Sequence, residues 1–235
     1  MMFTVVIPTR DEAQNLAVLL PMVKAHIGLA NDILVVDDGT DAVPDVCRQA
    51  NVRCLRGPGL GLTAAIRFGI ARVTQMGFVV MDADLQHDPK YIPALASGIS
   101  RGMLTIGSRY VEGGRWREGF RRETMSRAAC SLAYPFLTSV RDNTSGFFAM
   151  PTKAFDFQTV GLYAPKILLD ILVKCQPEMV REIPITFNTR AFGQSKYMGP
   201  STIVRYARQV VGLYLWRYTR HDAKTKVGSN KSVRE

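Results

Sequence analysis

Cysteine and histidine are scarce in this chain of 235 residues, with four of the one and three of the other. Cys47, Cys54, Cys130 and Cys175 form no CxxC pair and show no metal-ligand spacing, which argues against a thiolate zinc site. A chain of this length does not need disulfide staples, so buried free thiols in a reducing cytosol are expected. Long apolar runs are also missing. The longest stretch without a formal charge, Ala128–Val140, has 13 residues, short of the roughly 20 that a spanning helix needs. No basic region and no small-residue cleavage site precede the strand-like Phe3–Ile7, so no signal peptide is expected. Acid is scarce in one half only. Residues 1–100 hold 8 Lys and Arg against 10 Asp and Glu, whereas residues 101–235 hold 22 against 10. The net charge of +10 therefore belongs to the second half, which suits an anionic partner: nucleic acid, a membrane surface or a phosphorylated substrate.

What is present reads as one globular domain, with 47% apolar and 21% charged residues. Short β-branched runs alternate with amphipathic segments through the first hundred residues, the pattern of βαβ units around a mainly parallel sheet. The spacing predicts strands at Phe3–Ile7, Asp32–Val36, Asn51–Leu55 and Gly77–Met81. Between them fall helices at Asn15–His26 and Asp41–Ala50, and one from Gly61 to about Gln75. Further on, strands are expected at Met103–Gly107, Ser145–Met150 and Glu182–Phe187. Helices are expected at about Glu123–Leu137, Lys166–Cys175 and Thr202–Tyr218, with a basic disordered tail from residue 221. Ligands of such sheets bind in the loops at the carboxyl ends of the strands.

Three of those loops carry chemistry. Asp82-Ala83-Asp84-Leu85-Gln86 follows the fourth strand directly, and in an extended backbone residues i, i+2 and i+4 share a direction. Two carboxylates and an amide oxygen are hard ligands suited to Mg²⁺ or Mn²⁺ with positions left open for phosphate. A calcium loop fails, because its sixth and twelfth positions hold His87 and Pro93. A plain capping turn with Asp88 as N-cap before Pro89 accounts for Asp88 but not for the triplet. Asp37 and Asp38 end the second strand; they can hold ribose hydroxyls or base N–H groups, and their adjacency departs from the phosphatase DxDGT pattern. Pro8-Thr9-Arg10-Asp11-Glu12 adds charge after the first strand. Gly57-x-Gly59-x-Gly61 departs from G-x-G-x-x-G and reads as a close-packed turn. None of the three histidines is given a role, His87 being a poor candidate for a ligand.

In this order, VVIPTRDE, ILVVDDGTD, GLGLTAAIRFGI, VVMDADLQHDP, IGSRY, the SRA helix, DNTSGFFAM and EIPITFNTRAFGQSKY resemble the inverting family 2 glycosyltransferases of GT-A fold. The likeness runs from Val5 to about Trp216 and is nearest to the dolichyl-phosphate (polyprenyl-phosphate) mannose synthases. It implies a catalytic domain over residues 1–200 that moves mannose from GDP-mannose to a polyprenyl phosphate, with another sugar nucleotide such as UDP-glucose as the alternative. Asp82, Asp84 and Gln86 would hold the divalent ion, and Pro8, Glu12, Asp37 and Asp38 would line the nucleotide pocket. Arg109 would stand at the reacting phosphates, with Arg122, Ser126 and Arg127 on the acceptor side; Asp84, Arg109 and Arg127 would be the catalytic residues. Arg190 and Lys196 would close over the donor. Arg10 and Asp11 stand where the family usually has an aromatic residue and Asn, which bears on base recognition.

The chemistry is consistent with these residues. A hydroxyl acceptor needs a general base, whereas a lipid phosphate, with a second pKa of about 6, is already anionic. Such an acceptor also requires contact with a bilayer. Thr202–Tyr218 sets Arg205, Arg208, Gln209 and Gly212 on one side against Ile203, Val204, Val210, Val211 and Leu215, an interfacial pattern assigned here to residues 201–220. Trp116 is a further candidate to enter the interface. The expected protein is cytoplasmic and peripheral on the cytoplasmic face of a membrane, with a small membrane subunit as a possible partner and no nucleic acid. A basic binding module of another class would leave Asp82, Asp84, Asp37 and Asp38 without purpose.

Overall fold

The computed structural model describes residues 2–133, 139–193 and 200–229. Its centre is β1 (Phe3–Thr9), all seven residues of which are buried. Parallel partners flank it: β2 (Asp32–Asp37) on one side and β4 (Gly77–Val80) on the other, with β3 (Arg53–Arg56) beyond β2. β7 (Phe148–Pro151) then runs antiparallel between β4 and β5 (Leu104–Ser108), and β8 (Val180–Pro184) lies parallel to β5. The order β3-β2-β1-β4-β7-β5-β8 makes a seven-stranded, mainly parallel sheet, as the βαβ pattern predicts.

Both faces of this sheet are covered, which explains why its strands read as unbroken apolar runs. Side chains alternate between two cores. Val5, Ile7, Ile33 and Val35 meet Leu16, Leu19, Leu20 and Val23 of α1 (Ala13–Ile27), with α2 (Val43–Gln49) and α4 (Ile92–Ala96) on the same face. Val6, Leu34 and Val36 meet Ile66 and Ile70 of α3 (Leu62–Ile70) on the other face, together with Leu168 of α6 (Ile167–Asp170). Each fully buried aliphatic side chain contributes about 1.5–3 kcal/mol. α3 lies close to β1 because Gly69 has no side chain; a Cβ there would come within 2.6 Å of Val6.

Several boundaries differ from the sequence expectation. α3 stops at Ile70, short of Gln75. The helix expected at Lys166–Cys175 is α6 followed by a π-helical turn at Ile171–Cys175. The strand expected at Glu182–Phe187 divides, because Pro184 has no N–H to continue a ladder. Ile185 then donates to Ser108 and accepts from Arg115, and the chain crosses into a small second sheet of β6 (Arg115–Trp116) and β9 (Thr186–Phe187). α5 spans Phe120–Leu132, starting before the predicted Glu123.

α7 (Pro200–Ser229) continues past Tyr218 through part of the segment expected to be disordered. Its inner face joins Tyr206, Val210, Leu213 and Trp216 to Ala133, Leu169 and Val173. The Tyr206 hydroxyl donates to the Ala129 carbonyl at 2.6 Å. Gln209, expected on the polar side, faces inward instead and bonds both the Lys166 backbone and Asp170. The outer face leaves Ile203, Val204, Val211, Tyr214, Leu215 and Tyr218 exposed.

Candidate active site

Parallel strands bring their carboxyl ends to one edge, so the loops after β1, β2 and β4 converge there. The register sets Thr9 opposite Asp37. Asp37 is buried, its Oδ1 accepts the Gly39 N–H at 2.8 Å, and burial raises its pKa. Asp38 turns the other way and accepts the Gly59 N–H at 2.8 Å, so it fixes the glycine turn after β3; a Cβ on Gly57 would collide with its carboxylate. Asp11 holds the Thr40 N–H at 2.8 Å. Pro8 is buried within β1. A cavity of about 470 Å³ beside Asp37 is lined by Pro44, Cys47, Arg48, Asn51, Val52, Cys54 and Arg56, and none of the metal-type acids reaches it. The four cysteines are free thiols, with Cys47 and Cys130 buried.

The Asp82–Gln86 segment is not the extended run that its spacing implies. β4 ends at Val80, and the chain then turns, with Leu85 left-handed at φ 65° and the Gln86 N–H bonded to Asp84 Oδ1 at 3.2 Å. Asp82 and Asp84 nonetheless feel each other. Burial, then the charge of Asp82, pushes Asp84 up to about 6, and burial raises Asp82 as well. Two carboxylates held against their solvation preference need a cation. Arg190 fills that need on one side: its Nη2 lies 2.7 Å from Asp84 Oδ2 and its Nη1 lies 2.9 Å from Glu12. Gly146 leaves the space in front of Asp82, since a Cβ there would sit 2.8 Å from Oδ2.

The Gln86 side chain is buried and donates to Glu118 Oε2 at 2.6 Å and to the Asn188 carbonyl at 3.3 Å. Both partners are acceptors, which fixes its nitrogen on that side and leaves its oxygen for another donor or cation. Hard oxygen donors, the cradle at Gly146 and a guanidinium standing in for positive charge fit a small divalent cation at Asp82, Asp84 and Gln86. Among the described residues no group of three or more His, Cys, Asp or Glu side chains could hold a metal. His87 is buried, with its ring stacked on Phe147 at 4.9 Å; its Nδ1 accepts the Asp82 N–H at 3.3 Å, and burial lowers its pKa to about 4. Burial therefore favours its neutral form, and its ring is packed rather than solvated.

Arg109, at the end of β5, is 9% exposed and clamped by Asp142, which is 0% exposed. Asp142 Oδ2 takes the Arg109 backbone N–H at 2.9 Å and Nε at 2.7 Å, and Oδ1 takes Nη2 at 2.6 Å. Burial presses the arginine down, but Asp142 more than offsets it, so the guanidinium stays charged. It also lies over the rings of Tyr110, Trp116 and Phe187 at 5.1, 4.9 and 5.2 Å. Trp116 is therefore packed inward, with its Nε1 donating to the Glu118 carbonyl, rather than poised to enter an interface. Arg122 pairs with Glu118. Arg127 pairs with Glu123 at 2.8 Å and covers Tyr110 at 4.5 Å, with Ser126 beside that phenol. Lys196 lies outside the described residues.

The residue that sequence reasoning missed is Lys166. It caps α6, and its backbone is held by Gln209 of α7. Lys166 is an exposed residue whose pKa is lowered by desolvation and then by Arg109, and raised by Asp82. Its charge feels both Asp82 after β4 and Arg109 after β5. Unlike the arginines around it, Lys166 holds no ion pair among the described residues. Glu118 and Asp142 were missed too, Asp142 lying in the quoted DNTSGFFAM stretch without a role. The site as a whole sets the raised carboxyls of Asp82 and Asp84 near the fixed positive charge of Arg109.

Residues 4–160 match the family model described as glycosyl transferase family 2. Dolichol-phosphate mannosyltransferase of Pyrococcus furiosus is 36% identical over 92% of this chain, which spans 64% of that relative's length. The proteins of that name from Mycosarcoma maydis and Saccharomyces cerevisiae are 31% and 29% identical, with 80% and 88% of their lengths covered. Among solved structures, glucosyl-3-phosphoglycerate synthase from Mycobacterium tuberculosis, in complex with Mn²⁺, UDP and glucosyl-3-phosphoglycerate, superposes with a TM-score of 0.67. It shares 17% identity, with 92% of this chain and 79% of that one covered.

Proposed function

Since the chain belongs to glycosyl transferase family 2 and is a glycosyltransferase of GT-A fold, we propose that it transfers mannose from GDP-mannose to a polyprenyl phosphate with inversion. The relatives named dolichol-phosphate mannosyltransferase support the sugar and the acceptor. The observation that carries the reading is the meeting of opposite charges at the carboxyl ends of the strands: Asp82 within electrostatic reach of Lys166 and of the Arg109 that Asp142 clamps.

When bound at Asp82, Asp84 and Gln86, a Mg²⁺ or Mn²⁺ ion supplies neutralisation of the leaving diphosphate. The chain's own residues do the rest. Glu12, just before α1, and Asp37, at the end of β2, take the nucleoside, with Asp38 acting through the turn that it fixes. Arg190 leaves Asp84 for the donor phosphates, with Lys196 beside it. Arg109 and Lys166 draw the acceptor phosphate toward the sugar, and Arg122, Ser126 and Arg127 line its approach from α5. Their fixed positive charge lowers the repulsion between two anions, in a site where charge is worth more than in water. No side chain has to remove a proton, because the attacking oxygen is already anionic. A buried, neutral His87 is consistent with that.

The exposed apolar face of α7 and the exposed Phe120, Met125 and Leu132 of α5 support a peripheral position on a membrane, which this reading takes to be its cytoplasmic face. Among the described residues no helix is long and apolar enough to cross one. A small membrane subunit would meet the same face. Calorimetric titration with GDP and with UDP, each with and without Mn²⁺, tests the donor. Metal-dependent binding of GDP in preference to UDP is expected. Preference for UDP would replace mannose as the donor sugar, and binding of neither would overturn the reading.

A further inference from the structure

Arg109 and Arg127 are held alike, although one follows β5 and the other stands on α5. Each is tied along one edge by a carboxylate. Asp142 takes Nε and Nη2 of Arg109 at 2.7 and 2.6 Å, and Glu123 takes Nε and Nη2 of Arg127 at 3.0 and 2.8 Å. Among the described residues Nη1 of neither arginine makes a hydrogen bond, which leaves that group of each guanidinium for an anion. Tyr110 lies against both. The guanidinium carbon of Arg109 is 5.1 Å from its ring centroid and that of Arg127 is 4.5 Å away. Trp116 backs the ring, inclined by 10° at 6.4 Å, and is itself packed on Phe187 at 4.9 Å.

We propose that Tyr110 is a positioning residue whose ring holds Arg127 beside the clamped Arg109, so that the two guanidiniums receive the acceptor phosphate as a pair. This rests on the acceptor reading above and deepens it. Two like charges against one ring repel each other, and only one of them is fixed. The Arg109 side chain is 9% exposed, whereas that of Arg127 is 56% exposed. The pair that Arg127 makes with Glu123 lies within α5 at i and i+4, so it holds the side chain weakly and does not tie it to the end of β5. Little else anchors that helix to the core, since Cys130 is its one buried residue. The negative face of the Tyr110 ring attracts both cations and joins the Arg127 side chain to the chain just after β5. A phosphate then meets two charges already in place, and the entropy of drawing Arg127 in from solvent is not lost on binding.

Calorimetric titration of the full chain with farnesyl phosphate, and separately with GDP and Mn²⁺, tests this. Tyr110→Leu should weaken farnesyl phosphate binding roughly 5- to 10-fold. It should leave Mn²⁺-dependent GDP binding within about twofold, because Asp142 still holds Arg109. Tyr110→Met fills the space with a flexible side chain that has no π face, and should lose as much if the Leu variant does not fold. Tyr110→Phe keeps the ring and should stay within about twofold of the unmodified protein. In an Arg127→Met background, Tyr110→Leu should cost less than about twofold more, since the ring acts through Arg127. A purely structural role would show neither the rescue by Phe nor the dependence on Arg127. Thermal unfolding checks that each variant is folded. Undiminished affinity without the ring overturns the proposal; so does an equal loss in the Phe and Leu variants, or an equal loss with and without Arg127. All three leave the acceptor reading in place. Failure of the unmodified protein to bind farnesyl phosphate under any condition overturns the acceptor reading and the role of Tyr110 with it.

Discussion

Asp142→Asn tests the reasoning about Arg109 most sharply, because it removes a charge and little else. The Asp142 carboxylate accepts three hydrogen bonds from Arg109, two of them from the guanidinium, and neither residue has water to fall back on. Asn can keep one oxygen toward the backbone N–H and Nε, but it then turns an NH₂ group toward Nη2, donor against donor. A buried guanidinium without its counter-charge costs about 3–5 kcal/mol. The backbone at Asp142 is held separately, with its N–H and that of Arg141 bonded to Glu182 at 2.9 and 2.8 Å, so the local fold should survive. Urea unfolding should show the loss. Replacing both residues, as Arg109→Met with Asp142→Leu, should recover part of it, since an apolar pair leaves no charge stranded and only the backbone N–H of residue 109 without its acceptor. A single-variant loss below about 1 kcal/mol, or a double variant no better than the single, would refute the view that Asp142 exists to hold Arg109 charged and oriented.

Asp84→Asn should abolish Mn²⁺-dependent nucleotide binding and lower turnover at least about 100-fold; unchanged metal dependence in calorimetry would remove Asp84 from the ligand set. His87 has a folded pKa of about 4 against an ordinary 6.5, so the stability of its neutral form is full above pH 6.5 and is lost as pH falls toward 4. That is about 3 kcal/mol over the window. His87→Phe should flatten the acid limb of the stability profile measured by urea unfolding, and equal slopes in both proteins would contradict the assignment. The raised Asp84 works in the opposite direction and is present in both proteins. Lys166→Ala should raise KM for the lipid phosphate roughly tenfold while leaving GDP binding within about twofold, with partial rescue by Arg; a loss confined to GDP binding would place Lys166 on the donor side. Val211→Glu with Leu215→Glu should cut sedimentation with anionic lipid vesicles roughly tenfold; full retention would take α7 away from the membrane.

The sheet and its flanking helices were legible because period-2 and helical apolar patterns record which face is buried. Val5 and Ile7 against Val6 show that record directly, as they fall into two different cores. The boundaries that moved involve tertiary geometry: Pro184 transfers the chain from one sheet to another, and Gln209 turns inward to hold Lys166. The acids were legible because they end buried strands. Their convergence was expected from an extended backbone, whereas the segment turns, with Leu85 left-handed between Asp84 and Gln86. Lys166, Glu118 and Asp142 were not legible in that way, because their roles come from pairings between residues 32 to 84 positions apart in sequence. A single sequence records which residues lie on one face of an element, but not which distant side chains share a carboxylate.

The central claim is the transfer itself. Purified full chain, supplied with GDP-[¹⁴C]mannose, a short polyprenyl phosphate and Mn²⁺, should move label into the organic phase as a β-linked, acid-labile lipid phosphate sugar, and omitting either the ion or the lipid phosphate should stop it. Binding of GDP and Mn²⁺ without any label passing to the lipid, while a different acceptor takes it, would contradict the account.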